Sequence, residues 1–169
     1  MSCAVQVQRE IINSVQGLEL TESELRTLAE ARDWYSDETG TYAHDVGRIA
    51  EECFGMERSQ YKGIGLEALM ALKEQGYRLI LGVDHHRLAR PQLNRPFKAD
   101  HAVELLDFDL SDKENPKVIL NDPGRDEGRG SVYPLEIFLK AAGPADRAAG
   151  KPVIHFVTAL KKEADDERQ

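Results

Sequence analysis

Asp100-His101-Ala102-Val103-Glu104-Leu105-Leu106 and Lys117-Val118-Ile119-Leu120-Asn121-Asp122-Pro123-Gly124 decide how this chain folds. Each reads as a β-strand. The polar segment between them, Ser111-Asp112-Lys113-Glu114-Asn115-Pro116, reads as a hairpin loop. Pro123 stops the second strand because it has no N–H to give to a ladder. Antiparallel pairing across that loop puts His101 and Asp122 beside each other at one edge of the sheet. An imidazole oriented by a carboxylate is two thirds of a catalytic triad. The candidate for the missing nucleophile is Cys3.

Before the hairpin the chain reads mainly as helix. Val7, Ile11, Ile12 and Val15 recur at helical spacing from Cys3 to Gln16, and Gly17 supplies the stop. Ser2 stands where an N-cap would stand, so Cys3 falls in the first turn. Thr21 and Glu24 have capping-box spacing, and Leu20 with Leu25 has staple spacing. That second helix runs to about Arg32 and buries Leu25, Leu28 and Ala29. After a loop from Trp34 to Thr41, the stripe Val46, Ile49, Ala50, Cys53 and Phe54 predicts a third helix ended by Gly55. Tyr61 to Gly63 is a short extended piece. Leu66, Leu69, Met70 and Leu72 mark a fourth helix, stopped at Gly76.

The second half changes character. Tyr77 to Val83 is an apolar run of strand length. Asp84 to Lys98 reads as a long basic loop whose arginines (Arg87, Arg90, Arg95) form a solvated face. Beyond the hairpin, Gly124 to Gly130 reads as a mobile charged loop, without the lysine and Ser/Thr spacing of a phosphate loop. Tyr133 to Ala142 predicts a short helix with Pro134 in its first turn. Val153 to Leu160 is a last strand. Helices followed by strands indicate an α+β architecture, with three or four helices on an antiparallel sheet. One domain over residues 1–160 and a charged, solvated tail over 161–169 is the expected organisation.

The chain has 169 residues, 41% hydrophobic and 31% charged, which suits one globular core. Its net charge of −8 argues against a phosphate-binding nucleic-acid surface. No apolar run approaches a membrane span, and the start lacks a secretory signal, so no membrane insertion and a cytoplasmic location are expected. Two cysteines do not make a disulfide framework, and free thiols are the simpler reading. Cys53, on an apolar stripe, is expected in the core. The abrupt start leaves open an excised domain or a trimmed chain.

A thiol becomes a nucleophile when ionised. A helix N-terminus and a neighbouring imidazolium both favour the thiolate. Cys3 has the first by position, and His101 can supply the second. His155 is the rival base, but no acid follows it on a neighbouring strand. His85 and His86 invite a metal, yet adjacent histidines point apart and no ligand-spaced partners lie nearby in sequence. No metal and no cofactor are therefore expected.

Cys3-Ala4-Val5-Gln6-Val7-Gln8, Gly40-Thr41, Asp100-His101-Ala102-Val103 and Asn121-Asp122-Pro123 together resemble the bacterial double-glycine-leader peptidases and their stand-alone relatives. These are papain-like cysteine peptidases, best known as processing domains of bacteriocin exporters. The resemblance covers most of the chain, from Cys3 to about Asp122, in short patches. It implies a papain-like fold, with N-terminal helices packed on a C-terminal antiparallel sheet. It implies Cys3 as nucleophile, His101 as general base and acid, and Asp122 as the group orienting the histidine. The implied partner is a peptide or protein substrate, cut at a peptide or isopeptide bond beside small residues. Two positions depart from the family. Its oxyanion-hole glutamine lies a few residues before the cysteine, where this chain has only Met1 and Ser2. Loss of such a donor commonly costs about a hundredfold in rate. Its glycine after the cysteine is Ala4 here. Two other readings share the scaffold: a non-catalytic peptide-binding or regulatory domain, and a secreted toxin or effector. The residues leave the oligomeric state open.

Overall fold

β3 (His101–Asp109) and β4 (Lys117–Asn121) form the expected antiparallel hairpin, with Leu105 opposite Leu120 and Phe108 opposite Val118. The computed structural model describes residues 2–92, 95–123, 125, 128–144 and 151–164. Around the hairpin stand β1 (Glu57–Gly65), β2 (Arg78–Val83), β5 (Arg129–Pro134) and β6 (Val153–Lys161). The sheet order is β1-β6-β2-β3-β4-β5, and every neighbouring pair is antiparallel.

Alternation along β2 assigns the two faces. Leu79, Leu81 and Val83 join a core with Leu69 and Leu72 of α3 (Leu66–Glu74) and Phe138 of α5 (Leu135–Ala141). Ile80 points the other way, into a core with α1 (Cys3–Gln16) and α2 (Glu22–Ala31). The fold is thus α+β as expected, but helices cover both faces of the sheet. Val5, Val7, Ile11 and Ile12 are fully buried on one side of α1. Each such aliphatic side chain contributes roughly 1.5–3 kcal/mol by leaving water. Gly17 closes α1 in the left-handed region at φ 65°. The capping signal at Thr21 is real: its hydroxyl accepts from the Glu24 N–H at 3.2 Å. A half-buried ion pair within the sheet also carries a tie to α1. Arg78 of β2 grips Glu104 of β3 with Nε at 2.5 Å and a second nitrogen at 3.1 Å, and it reaches Ser14 of α1 at 3.1 Å.

Four local expectations need correction. The third helix is not one helix but a 3₁₀ turn (Ala43–Asp45) followed by a π-helical turn (Ile49–Cys53). Side chains of β1 take the carbonyls a regular helix would use: Arg58 donates to His44 and Val46, and Gln60 donates to Ala43. Gly47, at φ +89°, lets the chain pass so near β6 that an added Cβ would lie 2.8 Å from Thr158 Cγ2. Cys53, expected in the core, is only half-buried against it. The short extended piece at Tyr61 is the middle of the nine-residue β1. Residues 129–134 form strand β5, with Tyr133 inward and Val132 57% exposed, so Pro134 precedes the last helix instead of lying in it.

β6 runs through Lys161, and residues 162–164 are exposed. The rest of the expected tail, and Gly124, Asp126 and Glu127 of the expected mobile loop, lie outside the described residues. Among the described residues no helix is long and apolar enough to cross a membrane.

Candidate active site

Three elements converge at one edge of the sheet. Cys3 opens α1, His101 opens β3, and Asp122 follows the last residue of β4. The Cys3 sulfur lies 3.1 Å from His101 Nδ1, and His101 Nε2 lies 2.6 Å from Asp122 Oδ1. All three are buried, Asp122 at 1% exposure. The three residues picked from the sequence are therefore brought together in one hydrogen-bonded line. His155, the rival base, sits in β6 with its ring edge-on to Phe97 at 5.2 Å and takes no part in that line.

The electrostatics follow from the geometry. Burial penalises a charged imidazole at His101. The hydrogen bonds to Asp122 and Cys3 outweigh it, and the pKa rises from 6.5 to about 9. At neutral pH His101 is then an imidazolium. Both ring nitrogens carry a proton, one donated to the sulfur and one to the carboxylate. His101 Nδ1 is thus placed to donate to the Cys3 sulfur at 3.1 Å.

Each member is braced from behind. Ser2 does not cap its own helix; its hydroxyl donates to Glu22, the first residue of α2, and the Gln6 amide donates to the same carboxylate at 2.8 Å. The Ser2 hydrogen bond, against some cost of burial, holds Glu22 below the usual carboxylate range. On the other side the Asp122 N–H donates to the Gly128 carbonyl at 2.8 Å. No side chain fits at Gly128, where a Cβ would lie 1.6 Å from the Asp122 oxygen. Glu10 joins the two sides: it stands on the same helix as Cys3 and accepts from the Asn121 amide, one residue before Asp122.

The approach to His101 is the largest surprise. Asp84, fully buried, caps the short helix α4 (His85–Ala89) through the N–H groups of His86 and Arg87. Its carboxylate also accepts from Arg95 at 2.6 Å and from the Lys98 N–H at 3.0 Å. Burial alone would raise its pKa. The Arg95 contact and the backbone donors reverse that and hold it below the usual range. Arg87, expected on a solvated face, is buried: it donates to the carbonyls of Lys140 and Arg95 at 3.0 and 2.8 Å and lies over Phe97. An aspartate three residues ahead of the helix formers Arg87, Leu88 and Ala89 was the signal for this cap. The arginines had no comparable signal, because only the fold creates their carbonyl partners. α4 also turns one histidine of the His85-His86 pair inward, so that the His85 ring meets His101 edge-on at 4.9 Å.

A cleft of about 500 Å³ opens from Cys3 and His101. Ile80, Gly82, Ala102 and Thr158 line it from the sheet, residues 38–41 from one flank and residues 98–100 from another. The helix start adds donors. Hydrogen bonding within α1 begins with the Gln6 N–H to Ser2, so the N–H groups of the first turn precede the ladder. Gln6 and Gln8 are engaged elsewhere, with Glu22 and with the Ala4 carbonyl.

No family model and no curated protein matches this chain. Among solved structures, the chain is similar to the crystal structure of a protein from Bacillus anthracis described as a candidate C39-like peptidase. That likeness has a TM-score of 0.61 at 14% sequence identity, and covers 96% of this chain and 90% of the other. It establishes that the two chains share an α+β fold.

Proposed function

We propose that this chain is a papain-type thiol hydrolase that cuts a peptide or isopeptide bond. One observation carries the reading: a buried line of hydrogen bonds runs from Asp122 Oδ1 through His101 to Cys3 Sγ, at 2.6 and 3.1 Å. In this reading the Cys3 thiolate attacks the substrate carbonyl and forms a C–S bond. The carbonyl oxygen takes negative charge and is met by N–H groups at the start of α1, where the helix dipole also favours an anion. His101 gives its Nδ1 proton to the leaving amine as the C–N bond breaks. The now neutral imidazole takes a proton from water, which attacks the thioester and releases the acid and the thiolate. Asp122 keeps His101 in the tautomer and orientation both steps need. The likeness to a candidate peptidase supports the class. Small residues at the cleavage site, as in double-glycine leaders, are the substrate preference in this reading.

The test is a self-quenched peptide library with glycine, alanine or phenylalanine on the acyl side of the scissile bond, run against the wild type and Cys3→Ala. Cleavage that requires Cys3 and favours the glycine peptides supports the proposal. A turnover equal in both proteins refutes it.

A further inference from the structure

The His85-His86 pair has a partner that the sequence does not reveal. His86 is exposed, while the His85 ring lies edge-on against His101. One donor atom from each of His85, His101 and Asp122 lies within 4.8 Å of the other two, the one such metal-capable group among the described residues. A second observation points the same way. The Nδ1 of His85 is buried and has no hydrogen-bond partner among the described residues. A buried imidazole nitrogen with nothing to bond is costly unless something fills the place. Meanwhile the His85 backbone N–H is pinned by Asp100 at 2.9 Å, so the ring is held near this point from the main chain.

We propose that His85, His101 and Asp122 form a site for a borderline divalent transition-metal ion, with Zn²⁺ the best match, and that filling it stops the thiol chemistry. Two imidazoles and one carboxylate are a three-ligand zinc set that leaves a fourth position for water. Hard ions such as Mg²⁺ and Ca²⁺ prefer oxygen cages and are excluded by the nitrogen donors. Tetrahedral bonds of about 2.0–2.1 Å need donors roughly 3.3 Å apart, so side-chain rotations of an ångström or two complete the site. The ion would take the place of the proton between His101 and Asp122. His101 would then hold a metal at Nε2, where it now holds Asp122; its ring could not become the imidazolium that partners the thiolate, and its Nδ1, already protonated, would offer no lone pair to take a proton from water. The binding claim stands apart from the hydrolase reading; only the inhibitory consequence rests on it.

The experiment is isothermal titration of the full chain with ZnCl₂, using wild type, His85→Phe, His86→Ala and Cys3→Ala. His85→Phe keeps a ring against His101 but has no lone pair, and His85→Ala repeats the test if that variant does not fold. The expected result is one zinc per wild-type chain, weakened roughly tenfold or more in His85→Phe. His86→Ala and Cys3→Ala should bind within about threefold of wild type. Equal binding by wild type and the His85 variants overturns the proposal. So does a site lost with Cys3 but kept without His85, which is capture by the thiol instead. If metal-free Cys3 shows ordinary thiol reactivity while the zinc result holds, the hydrolase reading fails and this site remains.

Discussion

The two flanks of the cleft are built by opposite means. The flank leading to His101 is organised around buried charge: Asp84 accepts from two backbone N–H groups of α4, from the Arg95 side chain and from the Lys98 N–H, and Arg87 threads between carbonyls behind it. The flank at residues 36–41 rests on short turns. Ser36 and Gly40 exchange backbone hydrogen bonds at 3.2 and 2.8 Å, and Glu38 and Thr39 between them are exposed. A buried charge with many partners fixes one geometry, because losing any partner leaves another group unsatisfied. A surface turn fixes less and tolerates more. Under the hydrolase proposal this is a division of labour: the first flank would hold the chemistry in place, and the second would meet the substrate.

Substitutions can break that division. On the chemical side, His101→Ala should lower hydrolysis of a cleaved library peptide by about 10²–10⁴-fold, read as kcat/KM, while the protein stays folded. Next in size, Asp84→Ala should destabilise by about 3 kcal/mol in urea unfolding, since it strands Arg95 and several N–H donors. Glu38→Ala should shift stability by less than about 0.5 kcal/mol in the same assay. Equal losses at Asp84 and Glu38 would erase the contrast between the flanks. A smaller effect sharpens it on the substrate side. Thr41→Val should change KM a few-fold and leave kcat within about twofold, as loss of uniform binding does.

The pH dependence tests the charge itself. His101 has a folded-state pKa of about 9, above its ordinary 6.5. A raised pKa means the folded state holds the proton more tightly, so the stabilisation is complete below about pH 6.5 and is lost as pH rises through about 9. The stability difference between wild type and Asp122→Asn should shrink across that window, measured by urea unfolding at stepped pH. Hydrolysis should fall on the same alkaline limb, because the leaving amine then lacks its acid.

Much of the site was legible in the sequence, because it rests on local signals: a cysteine at a helix start, a histidine opening a strand, and an Asp-Pro ending the next. The hairpin loop supplied the pairing. What was hidden came from long-range contacts. Arg58 and Gln60 unravel the expected third helix from a strand ten or more residues away, and no periodicity announces that. β5 was obscured because its one strongly buried residue, Tyr133, stands between an exposed valine and a proline. His85 read as a loop residue paired with His86, yet the capped turn of α4 gives it His101 as its neighbour.

The central claim is that Cys3 is activated by the line through His101 to Asp122. Iodoacetamide labelling of the two thiols across pH, resolved by peptide mass spectrometry, tests it without knowledge of the substrate. The account predicts that Cys3, though buried, labels far faster than half-buried Cys53 below pH 7, and that His101→Ala and Asp122→Ala each remove the advantage. If Cys3 labels no faster than Cys53 and ignores both substitutions, the nucleophile is lost and the same scaffold stands as a peptide-binding module.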